Sequence, residues 1–476
     1  MVWIVSCAGD HRDPPPRCRP QGCFWLISRR PKPFLDMPDM YIHDRIAVIF
    51  SSGGQTRVVT LDHRLALNHR AEPQPASGAV LIVTQHPVFH HIVLGRNVLE
   101  LLSLGFDVDV ICSDSDEGTH LLTPRPGLRV YTVPVQHRRK HAIRYALEYA
   151  AFFIVAFVLV SMLAIRKRYE VVQVDNLPDF LAMTTVVPRL RGTRIVFNMF
   201  ELTPEMIAAR FTGAKGRWFI RFARWLETAA TGWADHVIVV SEECRKRVIA
   251  RGVRPAKISV VLNTTPWRPS VREKPTGDRE GGDSSFIVTH TTLVPRYGVD
   301  LAIRAFAQLA GARPRLSLRI IGDGEHRPAL ERLAQDLGVA DRVTFTGLLP
   351  WAETIAQVRQ AAVGIVAVLA DGYGEVLLPT KLLEYARFGV PAVCSRLAAV
   401  QAYFPEDAVA YFVPGDADQL AARVDELLRD GAAAAHQAAQ AQEVARGLAW
   451  EQVRHSYFEA LGLTSHVNTS AEASLA

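Results

Sequence analysis

Apolar runs of strand length alternate with amphipathic stretches along the first half of the chain. Residues 79–84, 107–112 and 129–133 are short apolar runs, and residues 94–104 place apolar side chains at helical spacing before Gly105. Strands that alternate with helices in this way are typical of a doubly wound α/β sheet, whose parallel strands are covered by helices on both faces. The pattern therefore predicts a Rossmann-like domain in this half.

The same alternation returns after a polar segment, residues 266–285, that is rich in proline and glycine and has the composition of a linker. We expect a second Rossmann-like domain beyond this segment. The predicted organisation is an N-terminal domain at 78–265, a C-terminal domain at 286–435, a final helix at 436–463 and a tail at 464–476.

Residues 1–77 show neither helical nor strand periodicity over a useful length. Prolines and arginines interrupt them, as in P-P-P-R-C-R-P, and the apolar run 46–49 is too short to carry a fold. No signal-peptide pattern is seen. We expect an irregular, disordered extension, or a translation start placed too early, with Met37 or Met40 as the true start.

Residues 138–168 contain the longest apolar stretch of the chain. Residues 149–165 carry no charge and basic residues flank them on both sides, so their length is at the lower limit for a membrane span. However, predicted strands precede this stretch and another follows it directly, so a span would place parts of one sheet on opposite sides of the bilayer. We therefore predict a long helix packed on the sheet, with its basic end in peripheral contact with an anionic membrane.

Composition limits the classes of function. The chain has 476 residues, 49% of them hydrophobic, which is enough for two α/β domains. Its net charge of +6 is compatible with an anionic membrane surface or phosphorylated substrates. No zinc-finger spacing, helix-turn-helix signature or aromatic-basic stacking motif favours nucleic acid as a partner.

The cysteines indicate a reducing compartment. No two of the six cysteines have a convincing metal-binding spacing. The cysteines in apolar contexts are expected to be small buried side chains. We therefore expect a cytoplasmic protein, peripheral on the cytoplasmic face of the inner membrane. The six are Cys7, Cys18, Cys23, Cys112, Cys244 and Cys394.

The stretch 371–395 carries the clearest chemistry. An apolar run leads into a glycine-containing loop, and Pro379, Thr380 and Lys381 then open a helix predicted to stop at Gly389. Free N–H groups and the positive end of the helix dipole attract an anion there, and Lys381 adds a full charge. Glu384, one turn further, is placed to accept from ribose hydroxyls. On spacing alone, an ordinary βα turn with solvated side chains is the simpler interpretation.

The string L-P-T-K-L-L-E-Y-A-R-F-G-V-P-A-V at 378–393 resembles the donor-binding signature of family 4 glycosyltransferases. These are retaining enzymes of the GT-B fold, in which two Rossmann-like doubly wound domains face each other across a cleft and a C-terminal helix crosses back to the first domain. Glu384 matches the second glutamate of the family's E-x7-E motif, the ribose ligand. The first glutamate falls at Val376, and Glu375 beside it is the carboxylate that would replace it.

The resemblance continues through the second half with several departures. Relatives have glycine and arginine where Thr291 and Thr292 stand, and lysine where Tyr297 stands, so Arg296 is the nearest remaining cation. The resemblance implies that Arg296, Lys381 and Glu375 are catalytic, the two cations by neutralising the leaving diphosphate. The implied donor-binding residues are Thr292, Gly322, Gly324, Gly347, Leu348, Leu378, Thr380 and Glu384.

In the first half the expected acceptor-side residues are His86, Glu201 and Glu205. His86, with His90 and His91, follows the first strand, and ligands of such sheets bind at the carboxyl ends of strands. Glu201 and Glu205 lie in a segment similar to the family's Asp-x-His-Glu strand end, although Asn198 and Phe200 replace the aspartate and the histidine.

The reaction implied is transfer of a sugar from a nucleoside-diphosphate sugar to a saccharide or lipid-linked saccharide acceptor, in surface polysaccharide synthesis. No cofactor and no metal are expected, because Asp107 and Asp109 lie within one strand and do not present their carboxylates together. Two alternatives stay open. One is a sugar-nucleotide epimerase of the same fold, and the other is a degenerate GT-B protein that binds a nucleotide sugar without transferring it.

Overall fold

Two parallel sheets, each covered by helices on both faces, form most of the protein in the computed structural model. The structure describes residues 2–7, 45–52, 55–61, 78–86, 88, 92–113, 125–133, 142–210, 213–264 and 286–464. The predicted linker at 266–285, the tail beyond residue 464, and His90 and His91 lie outside the described residues.

Three strands near the N-terminus form an antiparallel sheet of their own. They are β1 (Val2–Cys7), β2 (Arg45–Ser52) and β3 (Gln55–Leu61), in the order β1-β2-β3. The sequence predicted only an irregular extension here. In the structure Ser52 pairs with Gln55, so a two-residue connection joins β2 to β3, and the Gly-Gly pair between these strands is the corresponding hairpin signal in the sequence.

The first α/β domain has seven parallel strands in the order β10-β9-β8-β7-β4-β5-β6. The strands are β4 (Gly78–Val83), β5 (Phe106–Ser113), β6 (Leu128–Val133), β7 (Val171–Asp175), β8 (Arg194–Met199), β9 (His236–Val239) and β10 (Ile258–Val260). The helices are α1 (Ile92–Ser103), α2 (Ala142–Arg166), α3 (Val186–Leu190), α4 (Thr203–Ala208), α5 (Gly213–Trp233) and α6 (Glu242–Ala250), with 3-10 turns at Asp179–Thr185 and Pro255–Lys257.

The second α/β domain has six parallel strands in the order β13-β12-β11-β14-β15-β16. The strands are β11 (Phe286–His290), β12 (Ser317–Ile321), β13 (Val343–Gly347), β14 (Val363–Val366), β15 (Ala392–Ser395) and β16 (Ala410–Phe412). The helices are α7 (Val299–Ala312), α8 (Arg327–Asp336), α9 (Trp351–Gln360), α10 (Thr380–Arg387), α11 (Ala398–Gln401), α12 (Ala417–Arg429), α13 (Gly431–Gly447) and α14 (Trp450–Leu461), with 3-10 turns at Pro295–Tyr297, Ala340–Arg342 and Gly374–Val376.

Both sheets reverse their strand order once, between β4 and β7 in the first domain and between β11 and β14 in the second. Ligands of doubly wound sheets bind outside the carboxyl ends of the strands at such a reversal. The prediction of two doubly wound domains is therefore confirmed, and the strand order gives the expected location of the site in each.

Helix α2 packs on the first sheet, as the sequence predicted. Its residues Phe152 and Leu159 are buried in the core of the first domain, and the ring of Phe153 lies 5.5 Å from that of Phe180 in the adjacent 3-10 turn. The part Leu147–Arg166 has the length and the apolar composition of a membrane-spanning helix. Core helices of soluble proteins share both properties, so they do not by themselves indicate a membrane span.

The chain returns to the first domain at its C-terminal end, through α14. Helix α13 packs against α10 in the second domain, whereas Trp450 and Tyr457 of α14 are buried in the core of the first. The guanidinium of Arg96 lies 3.7 Å from the centre of the Trp450 ring, and the Tyr457 hydroxyl donates to Gln173 at 2.8 Å. The crossing thus takes place between two helices, where the sequence predicted a single crossover helix.

Because α14 joins the two domains, truncating its largest side chain should destabilise the whole protein. Trp450 is 1% exposed, and we expect Trp450→Ala to lower the free energy of unfolding by about 3–5 kcal/mol. Thermal and denaturant unfolding measure this. Trp218→Ala, at a position 61% exposed, is the matched control and should change stability by no more than about 0.5 kcal/mol. Equal effects of the two substitutions would contradict the described packing.

Candidate functional site

A cleft of about 410 Å³ lies between the carboxyl ends of the two sheets. The first domain contributes to its wall Phe200, Glu201, Val240 and Asn263, which follow strands β8, β9 and β10. The second domain contributes the loops after β11 and β12, the start of α9 and the start of α10. The residues of the second domain that line the cleft are His290, Thr291, Thr292, Tyr297, Ile321, Gly322, Leu348, Leu349, Trp351, Thr354, Leu377, Leu378, Pro379, Thr380, Lys381 and Glu384.

The start of α10 presents backbone N–H groups without a side-chain cap to this cleft. Pro379 occupies the N-cap position with extended backbone (φ −67°, ψ 120°), and a proline side chain has no acceptor for the first N–H groups of the helix. The predicted end of the helix is also confirmed, since Gly389 has a φ of 64° directly after the C-cap residue. The first N–H groups of α10 therefore have no side-chain cap, and the binding of an anion there stays a prediction.

Lys381 is buried beside these donors. Its side chain is 7% exposed, its Nζ donates to the Thr291 hydroxyl at 2.8 Å, and it lies 4.2 Å from the centre of the Tyr297 ring. Burial lowers the pKa of Lys381 from 10.5 to about 7, while Cys394 and Glu384 act in the opposite direction. The residues that replace the family's glycine and lysine, Thr291 and Tyr297, are thus the ones that hold Lys381.

Glu384 lies one turn further along α10 and already has a partner. Its Oε2 is 2.5 Å from Nε2 of His290, and the other ring nitrogen of His290 is 3.0 Å from the Tyr385 hydroxyl. Tyr385 fits beneath the histidine because residue 364 is glycine: a Cβ there would lie 2.6 Å from the tyrosine ring. A ribose that binds Glu384 has to share or displace the His290 contact.

Arg296 does not line the cleft. Its Nε donates to Asp371 at 2.8 Å, and its guanidinium lies 4.4 Å from the centre of the Tyr373 ring. Its charge is therefore largely balanced by a carboxylate of the loop after β14. Direct contact between Arg296 and a diphosphate stays a prediction, and it requires this ion pair to open.

Glu375 is also placed outside the cleft lining. The structure pairs it with Arg247 of α6 at 2.9 Å, across the interface between the domains. Next to it the Ser241 hydroxyl donates to the Val376 carbonyl at 3.0 Å. Glu375 therefore acts here as a contact between domains, whereas the sequence suggested that it replaces a missing catalytic carboxylate.

The glycines after β12 and β13 let two loops approach each other. A Cβ on Gly322 would lie 2.0 Å from the Thr291 carbonyl oxygen, and one on Gly324 would lie 2.3 Å from that of Leu293. Gly347 accepts a backbone hydrogen bond from Gly322 at 2.9 Å. Gly322 lines the cleft, but the contacts that require glycine are with backbone, and this differs from the expected role of admitting a base or phosphate.

On the first domain, the predicted acceptor-side residues lie at different depths. Glu201 lines the cleft, and burial raises its pKa to about 7 while Arg296 and Arg210 oppose the shift. His86 lies behind the wall, with its ring edge-on to Phe200 at 5.9 Å between centroids. Glu205 is buried and bound to Arg251, with Arg247 at 3.5 Å. Of the three, only Glu201 is brought to the cleft.

Sequence reasoning missed His290 and Trp351. His290 ends strand β11, so the same rule that singled out His86 after β4 could have found it. Trp351 begins α9 after a proline and gave no comparable signal. Thr292, Leu348, Leu378 and Thr380, all predicted to bind the donor, do line the cleft.

A metal centre is not evident in the part of the chain that the structure describes. No group of three or more histidine, cysteine, aspartate or glutamate side chains is arranged there to hold a metal ion. The buried cysteines Cys112, Cys244 and Cys394 are free thiols. Among the described residues that line the cleft, Lys381 is the lysine or arginine side chain.

Two family models match the chain, one in each domain. The Glycosyl transferase 4-like domain matches residues 91–264, and the Glycosyl transferases group 1 model matches residues 272–444. Together they cover nearly all of the two α/β domains described above.

Relatives match parts of the chain. A GDP-mannose-dependent alpha-(1-6)-phosphatidylinositol monomannoside mannosyltransferase of Mycolicibacterium smegmatis is 34% identical over 152 residues, which are 31% of this chain and 40% of that protein. The gpi3 subunit of the phosphatidylinositol N-acetylglucosaminyltransferase of Schizosaccharomyces pombe is 23% identical over 69% of this chain and 67% of that protein. The chain thus spans about two fifths of the mannosyltransferase and two thirds of the gpi3 subunit.

Solved structures share the fold. Sucrose-phosphate synthase from Thermosynechococcus elongatus superimposes with a TM-score of 0.62 at 17% identity, over 83% of this chain and 100% of that one. Anabaena HepE in complex with UDP-glucose gives a TM-score of 0.58 at 17% identity, over the same shares. These structures show the GT-B fold. The two family models, one over each α/β domain, show that the chain belongs to the family 4 glycosyltransferases.

Proposed function

We propose that this protein transfers a hexosyl group, with retention of configuration, from a nucleoside-diphosphate sugar to a saccharide or lipid-linked saccharide in surface glycoconjugate synthesis. The observation that carries the proposal is the buried Lys381 at the open N-terminus of α10, in a cleft between two Rossmann-like domains. This arrangement suits a diphosphate, because a buried cation and the first backbone N–H groups of a helix converge at the cleft.

Breaking the sugar–phosphate bond leaves negative charge on the diphosphate, and the cleft supplies the charge that balances it. Lys381 is close to half neutral near pH 7 in the empty protein, since its pKa is about 7. A diphosphate beside it restores the ammonium form. Lys381 and the N–H groups of α10 then stabilise the leaving group without a metal or another cofactor.

The nucleoside end of the donor lies toward Glu384 in this proposal. The Glu384 carboxylate accepts from the ribose hydroxyls once the His290 contact is shared or displaced, and Leu348 and Leu349 line the space for the base. Relatives and structural neighbours include enzymes named for GDP-mannose and a structure holding UDP-glucose, so both nucleotides belong in a donor screen.

The acceptor enters from the first domain. Glu201 is the carboxylate of that domain in the cleft lining, and it is positioned to orient an acceptor hydroxyl. Several relatives are named for phosphatidylinositol-linked acceptors, which supports a lipid-linked saccharide. We further propose a cytoplasmic protein, peripheral on the inner membrane, with residues 138–168 near the lipid surface.

Donor turnover without acceptor separates this function from its alternatives. Incubation with a panel of UDP- and GDP-sugars should release free nucleotide slowly, with and without EDTA. An epimerised sugar nucleotide would instead indicate an epimerase. Donor binding without turnover, and without transfer to any glycolipid acceptor, would indicate a degenerate binding protein.

Lys381→Met should abolish donor binding and stabilise the empty protein. Folding removes the ammonium group of Lys381 from water and lowers its pKa. The free energy of unfolding of the wild type is therefore reduced most below pH 7, and this reduction fades as the pH rises toward 10.5. We expect the variant to show a higher melting temperature at low pH and no further rise with UDP- or GDP-sugar. Lys257→Met, whose Nζ contacts the Gly232 carbonyl outside the cleft, is the control. A donor-induced shift that survives in Lys381→Met would refute the assignment.

Glu384→Gln should weaken donor binding only through the ribose. Loss of hydrogen bonds to a charged acceptor predicts about a tenfold weaker affinity for the cognate nucleoside diphosphate. The wild type should discriminate against the 2′,3′-dideoxy nucleotide by a similar factor, and the variant should not distinguish the two ligands. Titration calorimetry with both ligands measures this, and unchanged discrimination in Glu384→Gln would place the ribose elsewhere.

A further inference from the structure

Helix α5 carries an exposed row of aromatic side chains that the proposed chemistry does not use. Trp218, Phe222 and Trp225 follow one another at spacings of four and three residues, so they share one face of the helix. All three are exposed, Trp218 at 61% and Trp225 at 63%. A surface helix normally presents polar residues at such positions.

The exposed rings form one connected apolar surface. Trp218 and Phe222 are stacked with 5.6 Å between centroids and 4° between planes, and Phe222 stacks on Trp225 at 5.8 Å. Phe219 contacts the edge of Trp218 at 5.2 Å. We call these four residues the aromatic ladder of α5. Contiguous exposed apolar surface of this kind marks an interaction site, whereas single exposed side chains are ordinary.

A row of arginines runs beside the ladder. Arg217, Arg221 and Arg224 repeat the same spacing one position earlier, and all three are exposed. Arg217 and Arg221 line a shallow groove of about 540 Å³ together with Trp218 and Phe222. Within the part of the chain that the structure describes, none of these arginines forms an ion pair with a carboxylate. The groove therefore offers positive charge beside apolar rings.

The opposite face of α5 fixes the direction of the ladder. Ala223 and Ala230 are buried, and Glu227 accepts two hydrogen bonds of 2.7 Å from Arg251 of the neighbouring chain segment. Helix α5 packs against α4 and the 3-10 turn Asp179–Thr185. The ladder therefore cannot turn inward without breaking this buried ion pair.

Other apolar residues are exposed on the same side of the first sheet. Helix α2 packs on the same 3-10 turn and exposes Leu147, Ile154 and Ile165. Helix α3, which packs against α2, exposes Leu190. The ladder is thus part of a broader apolar side of the first domain, which is too extended for a single small ligand.

From these observations we propose that α5 docks this protein onto an anionic membrane, with the aromatic ladder at the lipid interface and the arginine row on lipid phosphates. Tryptophan rings favour the boundary between headgroups and acyl chains, and guanidinium groups bind phosphate oxygens in pairs. Charge complementarity favours anionic lipid over an apolar protein partner. Docking would bring the cleft close to the proposed lipid-linked acceptor. The inference of lipid contact itself is drawn from the surface of α5 and does not depend on that acceptor.

Vesicle binding by the full chain tests this inference. The wild type should co-sediment with vesicles of phosphatidylcholine containing phosphatidylglycerol, with a blue shift of tryptophan fluorescence, and should bind pure phosphatidylcholine weakly. Trp218→Ser/Trp225→Ser should lower the affinity by about tenfold or more, and Arg217→Gln/Arg221→Gln/Arg224→Gln by on the order of a hundredfold. Both variants should keep the melting-temperature shift with donor, which separates failure of docking from failure of the proposed function.

A matched control decides what a negative result means. Arg423→Gln/Arg429→Gln/Arg446→Gln makes the same change in charge in the second domain and should leave vesicle binding nearly unchanged. The inference is overturned if the wild type ignores anionic vesicles, if the control triple variant loses binding as strongly as the α5 triple variant, or if both α5 variants bind vesicles as tightly as the wild type. Retention of a protein or an oligonucleotide by α5, without lipid binding, would overturn it equally.

Discussion

The burial of one ammonium group governs the donor half of this protein. Lys381 is held away from water by a threonine hydroxyl and the face of a tyrosine ring. Removing an ammonium from water costs on the order of several kcal/mol unless an anion replaces the lost hydration. A diphosphate bound at the start of α10 would supply such an anion, so donor binding and the charge of Lys381 are coupled.

The loops around Lys381 approach one another very closely, and glycine residues make this approach possible. Gly298 adopts a left-handed conformation (φ 58°), and a Cβ there would lie 1.9 Å from the Ala367 carbonyl oxygen. Gly322 makes a similar approach to the backbone of Thr291, the residue that holds Lys381. Across the cleft, the Ser241 hydroxyl and Arg247 bind the 3-10 turn Gly374–Val376, which leads into α10. Contacts between domains and the position of Lys381 are therefore linked through a short stretch of chain.

Much of the fold and part of the site could be predicted from the sequence. Strand and helix alternation indicated both domains, and Pro379 and Gly389 marked the limits of α10, because these signals are local. The partners of charged side chains were not predictable, since they depend on loops far apart in sequence. Three such contacts form only when the folded sheets bring distant loops together. They are Arg296 with Asp371, Glu375 with Arg247, and Glu384 with His290. The exposure of the α5 aromatics was missed for the same reason: periodicity shows that a face exists, but packing decides which face is covered.

Lys381 is expected to be about half neutral near pH 7 before a diphosphate binds and to become charged when it binds. Titration calorimetry of UDP and GDP in buffers of different ionisation enthalpy measures the protons taken up on binding. At about pH 8 most of the lysine is expected to be neutral, so we expect an uptake approaching one proton for each nucleotide bound, and this uptake should disappear well below the pKa of about 7. Nucleotide binding at the higher pH without proton uptake would contradict it.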